Sequence, residues 1–386
     1  MPRACVRPGR GIHRYLLPVL MPTPVSTDCL LAFASELAYR IEPNPDHPRA
    51  APHIPRSAPH YDDVIVGEPT CFLRGEDKID AAFVAEMPDD TVVVSFRGTL
   101  PPFGAPFWSW VEDWLEDFDI DPVPWTVAGQ PYGRVEHGFD RAVLELWNDI
   151  QGVGPLTTDD SAFAEGEEEL TLGDERRTLR GGIRHALLHG GIDWSTKTGI
   201  LVTGHSKGAA ATYLAASLIR GEPDLADVPV RVACFASPYT CDAAFLQAYT
   251  EAGLEDATVR YQNVDDLVPF VPNYLISLPL RLARWLDPTS TASTKATWTW
   301  RYVTIGHLRV ITRACDIREG TGAYWRALLR IVVDLLTLQV GRIADAHSLV
   351  YDPDASHPTG RYTTAVCRAS APEPVRLGAE AGVVSR

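Results

Sequence analysis

A chain of 386 residues, 45% hydrophobic and 22% charged, is long enough to bury a large core, and no stretch reaches the roughly 18–20 apolar residues of a membrane span. Its formal net charge of −15 argues against a broad nucleic-acid surface, which needs a basic field. Seven cysteines without C-x-x-C spacing suggest neither a zinc site nor a disulfide framework, so the expectation is reduced, partly buried thiols in a cytosol-like compartment.

Residues 1–24 read as a disordered or leader segment. Arg3, Arg7, Arg10 and Arg14 precede a short apolar run, Tyr15 to Leu20, that Pro18 interrupts, which is too short for a clear signal peptide. Met21 is an alternative start. Cys29 to Ile41 has helical spacing, and Pro43 to Pro59 reads as a loop. Thr91 to Phe96 is a buried-strand pattern, stopped by Arg97-Gly98-Thr99. Phe107, Trp110, Val111, Trp114 and Phe118 fall at helical spacing, and Asp140 to Ile150 predicts another helix. Thr157 to Arg176 is acidic and poor in aromatics, as in a surface insertion.

Leu179 to Leu188 and Ala209 to Arg220 read as helices, and Gly199 to Thr203, Val230 to Phe235 and Thr258 to Asn263 as strands. Such alternation implies an α/β class with a mostly parallel sheet covered on both faces. Further on, Tyr274 to Leu286 and Tyr324 to Arg342 read as helices, Arg301 to Thr312 as one strand, and residues 362–386 as a C-terminal tail. The expected organisation is one domain over residues 25–361, with insertions near 157–176 and 274–346.

The strongest signal is Gly204-His205-Ser206-Lys207-Gly208, set between an apolar strand and an Ala-rich helix. Chance would place G-x-S-x-G in such a chain only about 0.15 times, before any demand on its context. Strand, G-x-S-x-G and helix together make a nucleophile elbow, and point to an α/β-hydrolase fold with Ser206 as nucleophile. A serine hydroxyl needs a base to take its proton, and the base needs an orienting carboxylate. In this fold the order is serine, acid, histidine. Asp265 and Asp266 both follow the strand ending at Asn263, and position alone does not separate them. Of the later histidines, His307 lies inside a predicted strand and His357 precedes Pro358. His347 follows a long helical pattern and is the expected base.

Several stretches, in order, resemble the class 3 lipase family. Val94-Ser95-Phe96-Arg97-Gly98-Thr99 resembles its oxyanion strand and loop, and Asp113-Trp114-Leu115-Glu116-Asp117 the helix after it. Val135-Glu136-His137-Gly138-Phe139 is similar to its V-H-x-G-F stretch, with Glu136 altering the register. The elbow, Asp266-Leu267-Val268-Pro269, and Ala346-His347 with Tyr351 complete the series. The resemblance implies Asp266 as the acid and an oxyanion hole from the backbone N–H groups of Thr99 and Lys207. It also implies a lid or acyl pocket built with Phe107, Trp108, Trp110 and Trp114. Lys207 departs from the Leu common in the fungal elbow.

The combined expectation is a serine carboxylic ester hydrolase, a lipase or esterase, that needs no metal or organic cofactor. Its partner would be a lipid or other ester, with transient contact to a lipid surface. Phospholipase A-type or acyltransferase chemistry by the same triad is the alternative within the enzyme class. A non-catalytic lipid- or protein-binding domain is the alternative outside it.

Overall fold

The computed structural model describes residues 25–43, 51–74, 80–99, 121–148, 168–172, 175–179, 182–271, 301–319, 346–349 and 361–369. In chain order the first elements are α1 (Thr27–Ala38), α2 (Tyr61–Val64), β1 (Val66–Arg74), β2 (Asp80–Glu86) and β3 (Thr91–Phe96). Then come β4 (Pro122–Val127), β5 (Gln130–Glu136), α3 (His137–Asn148), β6 (Glu168–Leu172), β7 (Glu175–Leu179) and α4 (Ile183–His189). The central run is β8 (Gly199–His205), α5 (Lys207–Gly221), β9 (Val230–Phe235), β10 (Cys241–Asp242), α6 (Ala243–Glu251) and β11 (Thr258–Asn263). The last described elements are β12 (Tyr302–Val303), β13 (His307–Ile311), β14 (Ile317–Glu319) and α7 (Arg361–Ala369).

Eight strands form the main sheet in the order β1-β2-β3-β8-β9-β11-β13-β14. The middle five run parallel, while β1, β2 and β14 join antiparallel at the edges. Parallel strands buried on both faces favour near-continuous apolar runs, and TVVVSF and GILVTGH are buried along almost their whole length. Alternate residues supply two cores. Val92, Val94 and Phe96 pack with Phe139, Leu146 and Leu214 of α3 and α5 on one face. Val93, Leu201 and Phe235 pack with Leu31 and Leu37 of α1 and Val366 of α7 on the other. This is an α/β-hydrolase fold.

A smaller antiparallel sheet, β12-β10-β5-β4, stands beside the main one. Trp125 of β4 ties it to α5 by donating its indole N–H to Ser217 Oγ at 3.0 Å. The hairpin β6–β7 begins in the acidic segment expected as an insertion and runs past its end to Leu179. The single strand expected over residues 301–312 is two strands in different sheets. Gly306, at φ +81°, makes the break, and a Cβ there would overlap Thr258.

Helix α1 is fastened to the sheet by polar contacts as well as apolar ones. The buried Asp28 carboxylate accepts from Arg231 at 2.5 Å, Tyr261 at 2.7 Å and Arg309 at 3.3 Å. Ser35 Oγ lies 2.9 Å from Thr203 Oγ1 of β8.

Two expectations are corrected here. The segment from residue 362 is not simply a tail, because residues 361–369 form α7, with Tyr362, Thr363, Ala365 and Val366 buried. Nor are all the thiols free, because Cys29 of α1 and Cys367 of α7 form a disulfide across 338 residues of sequence. That pairing removes the basis for expecting a reducing compartment. Among the described residues Cys71, Cys234, Cys241 and Cys315 are thiols. Residues 1–24, most of 274–346 and residues 370–386 lie outside the described residues. Among the described residues no helix is long and apolar enough to cross a membrane.

A bond that closes so long a loop belongs at the upper end of disulfide contributions, about 3–5 kcal/mol. The double variant Cys29→Ser/Cys367→Ser should lose about that much unfolding free energy in a urea melt, and dithiothreitol should reproduce the loss in the unaltered protein. An unchanged midpoint would show that α1 and α7 hold together without the bond.

Candidate active site

The elbow is shaped by crowding. Ser206 links β8 to α5 with φ 58° and ψ −126°, a conformation that side chains rarely adopt. Gly204 and Gly208 permit it. A Cβ on Gly204 would overlap the Gly208 carbonyl, and a Cβ on Gly208 would overlap the Phe96 carbonyl of the neighbouring strand. The Ser206 N–H donates to Phe235 O at 2.9 Å, which pins the turn to β9.

Ser206, His347 and Asp266 come together, although 141 residues separate the first two. Ser206 Oγ lies 2.9 Å from His347 Nε2. His347 Nδ1 lies 3.0 Å from each oxygen of Asp266. A carboxylate only accepts, so Nδ1 carries the proton and Nε2 is left to accept from serine. Asp266 has no exposed surface, and it also accepts from the Val268 N–H at 3.0 Å and the Tyr362 hydroxyl at 2.6 Å.

The two adjacent aspartates turn opposite ways. Asp265 meets Arg313 through paired bonds of 2.8–3.0 Å and Arg361 at 2.9 Å. Burial raises the Asp265 carboxyl, and the hydrogen bonds from the two arginines outweigh it, holding the group below its ordinary range. Asn263 makes the divergence by forming a turn. Its Oδ1 accepts from Asp265 N–H at 3.2 Å, and its Nδ2 donates to Ala346 O at 2.9 Å, which brings the histidine segment to the acid turn.

His205 makes two directed hydrogen bonds. Its Nε2 lies 2.7 Å from the His347 carbonyl, which only accepts, so Nε2 carries the hydrogen. Nδ1 then accepts from the Tyr39 hydroxyl at 2.8 Å. Burial, and then His347 nearby, hold His205 well below the ordinary histidine range, so it stays neutral. Tyr39 also takes a backbone hydrogen bond from Gly98. One chain of bonds therefore runs from the end of β3 through Tyr39 and His205 to the backbone of His347.

Thr99 lies just past β3, partly buried. Gly98 before it is tight against the elbow, since a Cβ there would stand 2.9 Å from Ser206 Cβ. Lys207 opens α5, where a backbone N–H has no intrahelical acceptor. Its ammonium turns aside to Asp80 at 2.8 Å. Glu136, fully buried, accepts from Phe139 N–H at 3.2 Å and caps the start of α3, which accounts for the altered register before His137. His307 sits at the first residue of β13, at the end of the sheet away from the elbow, 3.6 Å from Asp256. Phe107, Trp108, Trp110, Trp114, Tyr351 and His357 lie outside the described residues. Among the described residues no cluster of three or more His, Cys, Asp or Glu side chains is suited to a metal.

Sequence reading missed Tyr39, Asn263 and Tyr362. Asn263 carried a signal, because an asparagine ending a strand two residues before the acid is a turn former. Tyr362 carried none.

Residues 93–275 match the family model of the class 3 lipases, and this stretch includes Thr99, Ser206, Lys207 and Asp266 but ends before His347. No curated protein sequence matches the chain. Among solved structures it is similar to Rhizomucor miehei triacylglyceride lipase, at 18% identity and TM-score 0.45, over 73% of this chain and 78% of that one. It is similar to the native Rhizomucor miehei lipase propeptide complex at 16% identity and TM-score 0.43, over 73% of this chain and 66%, just under two thirds, of the other. The nonglycosylated LIP2 lipase of Yarrowia lipolytica is similar at 15% identity and TM-score 0.43, over 73% and 77%. The class 3 lipases are thus the family that residues 93–275, just under half of the chain, resemble.

Proposed function

We propose that this protein hydrolyses carboxylic esters with apolar acyl chains through an acyl-enzyme on Ser206. The observation that carries this reading is the continuous bond chain from Ser206 Oγ through His347 to Asp266, at 2.9 and 3.0 Å. The similarity of residues 93–275 to the class 3 lipases supports a lipid-like ester as substrate.

Ser206 Oγ attacks the ester carbonyl carbon while His347 Nε2 takes its proton. Asp266 stabilises the resulting imidazolium and keeps Nε2 facing the serine. The carbonyl oxygen becomes an oxyanion, for which the backbone N–H groups of Thr99 and Lys207 are the proposed donors. The tetrahedral intermediate expels the alcohol, which leaves with the proton from His347. Water then attacks the acyl-serine with His347 again as base, releasing the acid and restoring Ser206. Ser206, His347 and Asp266 already stand within hydrogen-bond distance of one another, which favours proton transfer without rearrangement of these three side chains.

A fluorophosphonate probe should label the wild-type protein and not Ser206→Ala, and hydrolysis of nitrophenyl esters of increasing chain length should rise with acyl length before it levels off. Labelling that persists in Ser206→Ala would refute Ser206 as nucleophile.

The adjacent aspartates give a sharper contrast. Asp266→Asn should lower kcat by about 10³–10⁴, because it leaves His347 without the acceptor that fixes its tautomer. Asp265→Asn should leave kcat near wild type and change acid stability instead. A carboxyl held low in the fold stabilises it above its unfolded value of about 4, and that contribution fades as pH falls through the lowered value. Removing it should flatten acid unfolding below about pH 4. Equal losses of kcat in the two variants would count against Asp266 as the acid.

A further inference from the structure

Asp266 has no exposed surface, so its carboxylate oxygens must find their hydrogen-bond donors within the protein. Its shortest bond comes from a residue the reaction scheme does not use. The Tyr362 hydroxyl donates to Oδ2 at 2.6 Å, and the same hydroxyl accepts from the Asn263 N–H at 3.0 Å. The direction is fixed: a backbone N–H only donates, so the single tyrosine hydrogen goes to the carboxylate. Burial, then the adjacent Asp266, push Tyr362 well above the ordinary phenol range, so it stays protonated at any working pH.

Tyr362 is brought in from α7 by several independent ties. Arg361 before it binds Asp265 at 2.9 Å, so consecutive residues of α7 hold consecutive aspartates. Thr363 after it has its hydroxyl 2.5 Å from Glu36 of α1 and 3.0 Å from Leu349 O, two acceptors that share its one hydrogen. The disulfide to Cys29 follows one turn later. The aromatic ring packs edge-on near His205 and Phe235, a role that phenylalanine would fill equally well. Only the hydroxyl distinguishes tyrosine here, and it points at Asp266.

We propose that Tyr362 is a positioning residue for the triad, its hydroxyl fixing the Asp266 carboxylate toward His347 and moderating how strongly that carboxylate holds the imidazolium. This rests on the ester-hydrolase reading of the same site and deepens it. The other ionisable groups facing the pair are accounted for. His205 of the elbow has its ring 4.6 Å from that of His347 and is neutral. Arg260 of β11 acts on Tyr362 through space. Asp265 is matched by Arg313 and Arg361, and Tyr39, with Arg97 near it, is bound to His205.

The test is Tyr362→Phe. Without the hydroxyl, Asp266 keeps its charge with one donor fewer, so it accepts more strongly from His347 and holds the proton there more firmly. The acid limb of the kcat/KM profile should then move to higher pH. A lost hydrogen bond to a charged group should lower kcat on a short nitrophenyl ester about tenfold, with KM unchanged. Fluorophosphonate labelling should slow in parallel. Thr363→Val, which cuts the neighbouring tie to Glu36, should lower thermal stability without moving the acid limb. The proposal is overturned if Tyr362→Phe matches wild type in kcat and pH profile. It is equally overturned if activity falls only with the folded fraction seen by near-ultraviolet circular dichroism, the acid limb staying in place. If wild type is not labelled at Ser206, the ester-hydrolase reading itself falls. If wild type labels and Tyr362→Phe labels as fast, only the role of Tyr362 falls.

Discussion

A carboxylate with no exposed surface has to recover from the protein the hydrogen bonds it gave up in water. Asp266 recovers them from three places far apart in sequence: the turn after β11, the short segment around His347, and α7. Each donor requires its segment to be held within a few tenths of an ångström, because hydrogen bonds weaken quickly with distance and angle. Much of the surrounding structure answers that demand. Asn263 ties the histidine segment to the acid turn, and α7 is clamped to α1, which Asp28 in turn fastens to the sheet.

The nucleophile is governed by sterics rather than charge. Helix α5 lies so close to β3 and β8 that only glycine fits at residues 204 and 208, and the serine between them is forced into its unusual backbone conformation. Apolar residues on both faces of the parallel strands hold that closeness in place. The elbow thus draws its rigidity from the sheet, and the acid draws its rigidity from polar ties outside the sheet. His347 joins the two systems. Its ring bridges serine and carboxylate, and its backbone is tethered through His205 and Tyr39 to the end of β3.

How legible each part was in the sequence follows from these two sources. Steric demands leave a local mark: glycines at fixed spacing, an apolar run before and alanines after made the elbow, its strand and its helix readable. Polar ties between distant segments leave none. Asp265 and Asp266 are equivalent by position; the resemblance to the family's acid motif favours Asp266, and in three dimensions the arginines on Asp265 and His347 on Asp266 separate them. The stretch RYTTAVCRA lacks the large aliphatic residues that announce a buried helix, and its β-branched members have low helix propensity, so α7 was read as tail. Cys29 and Cys367 stand too far apart for spacing to pair them. Gly306 broke a strand that hydrophobicity alone made continuous.

The clamp between the two ends of the described fold has a consequence for how the molecule is made. A ribosome delivers Ser206 well before Tyr362 and Cys367. At about 5–20 residues per second, the nascent chain spends roughly 10–30 s with its elbow translated and its acid site still lacking a donor. Helix α1 must wait for its covalent partner until the elements between them have left the tunnel. The ring between residues 29 and 367 therefore closes only after Cys367 has left the tunnel, later than the elbow can form.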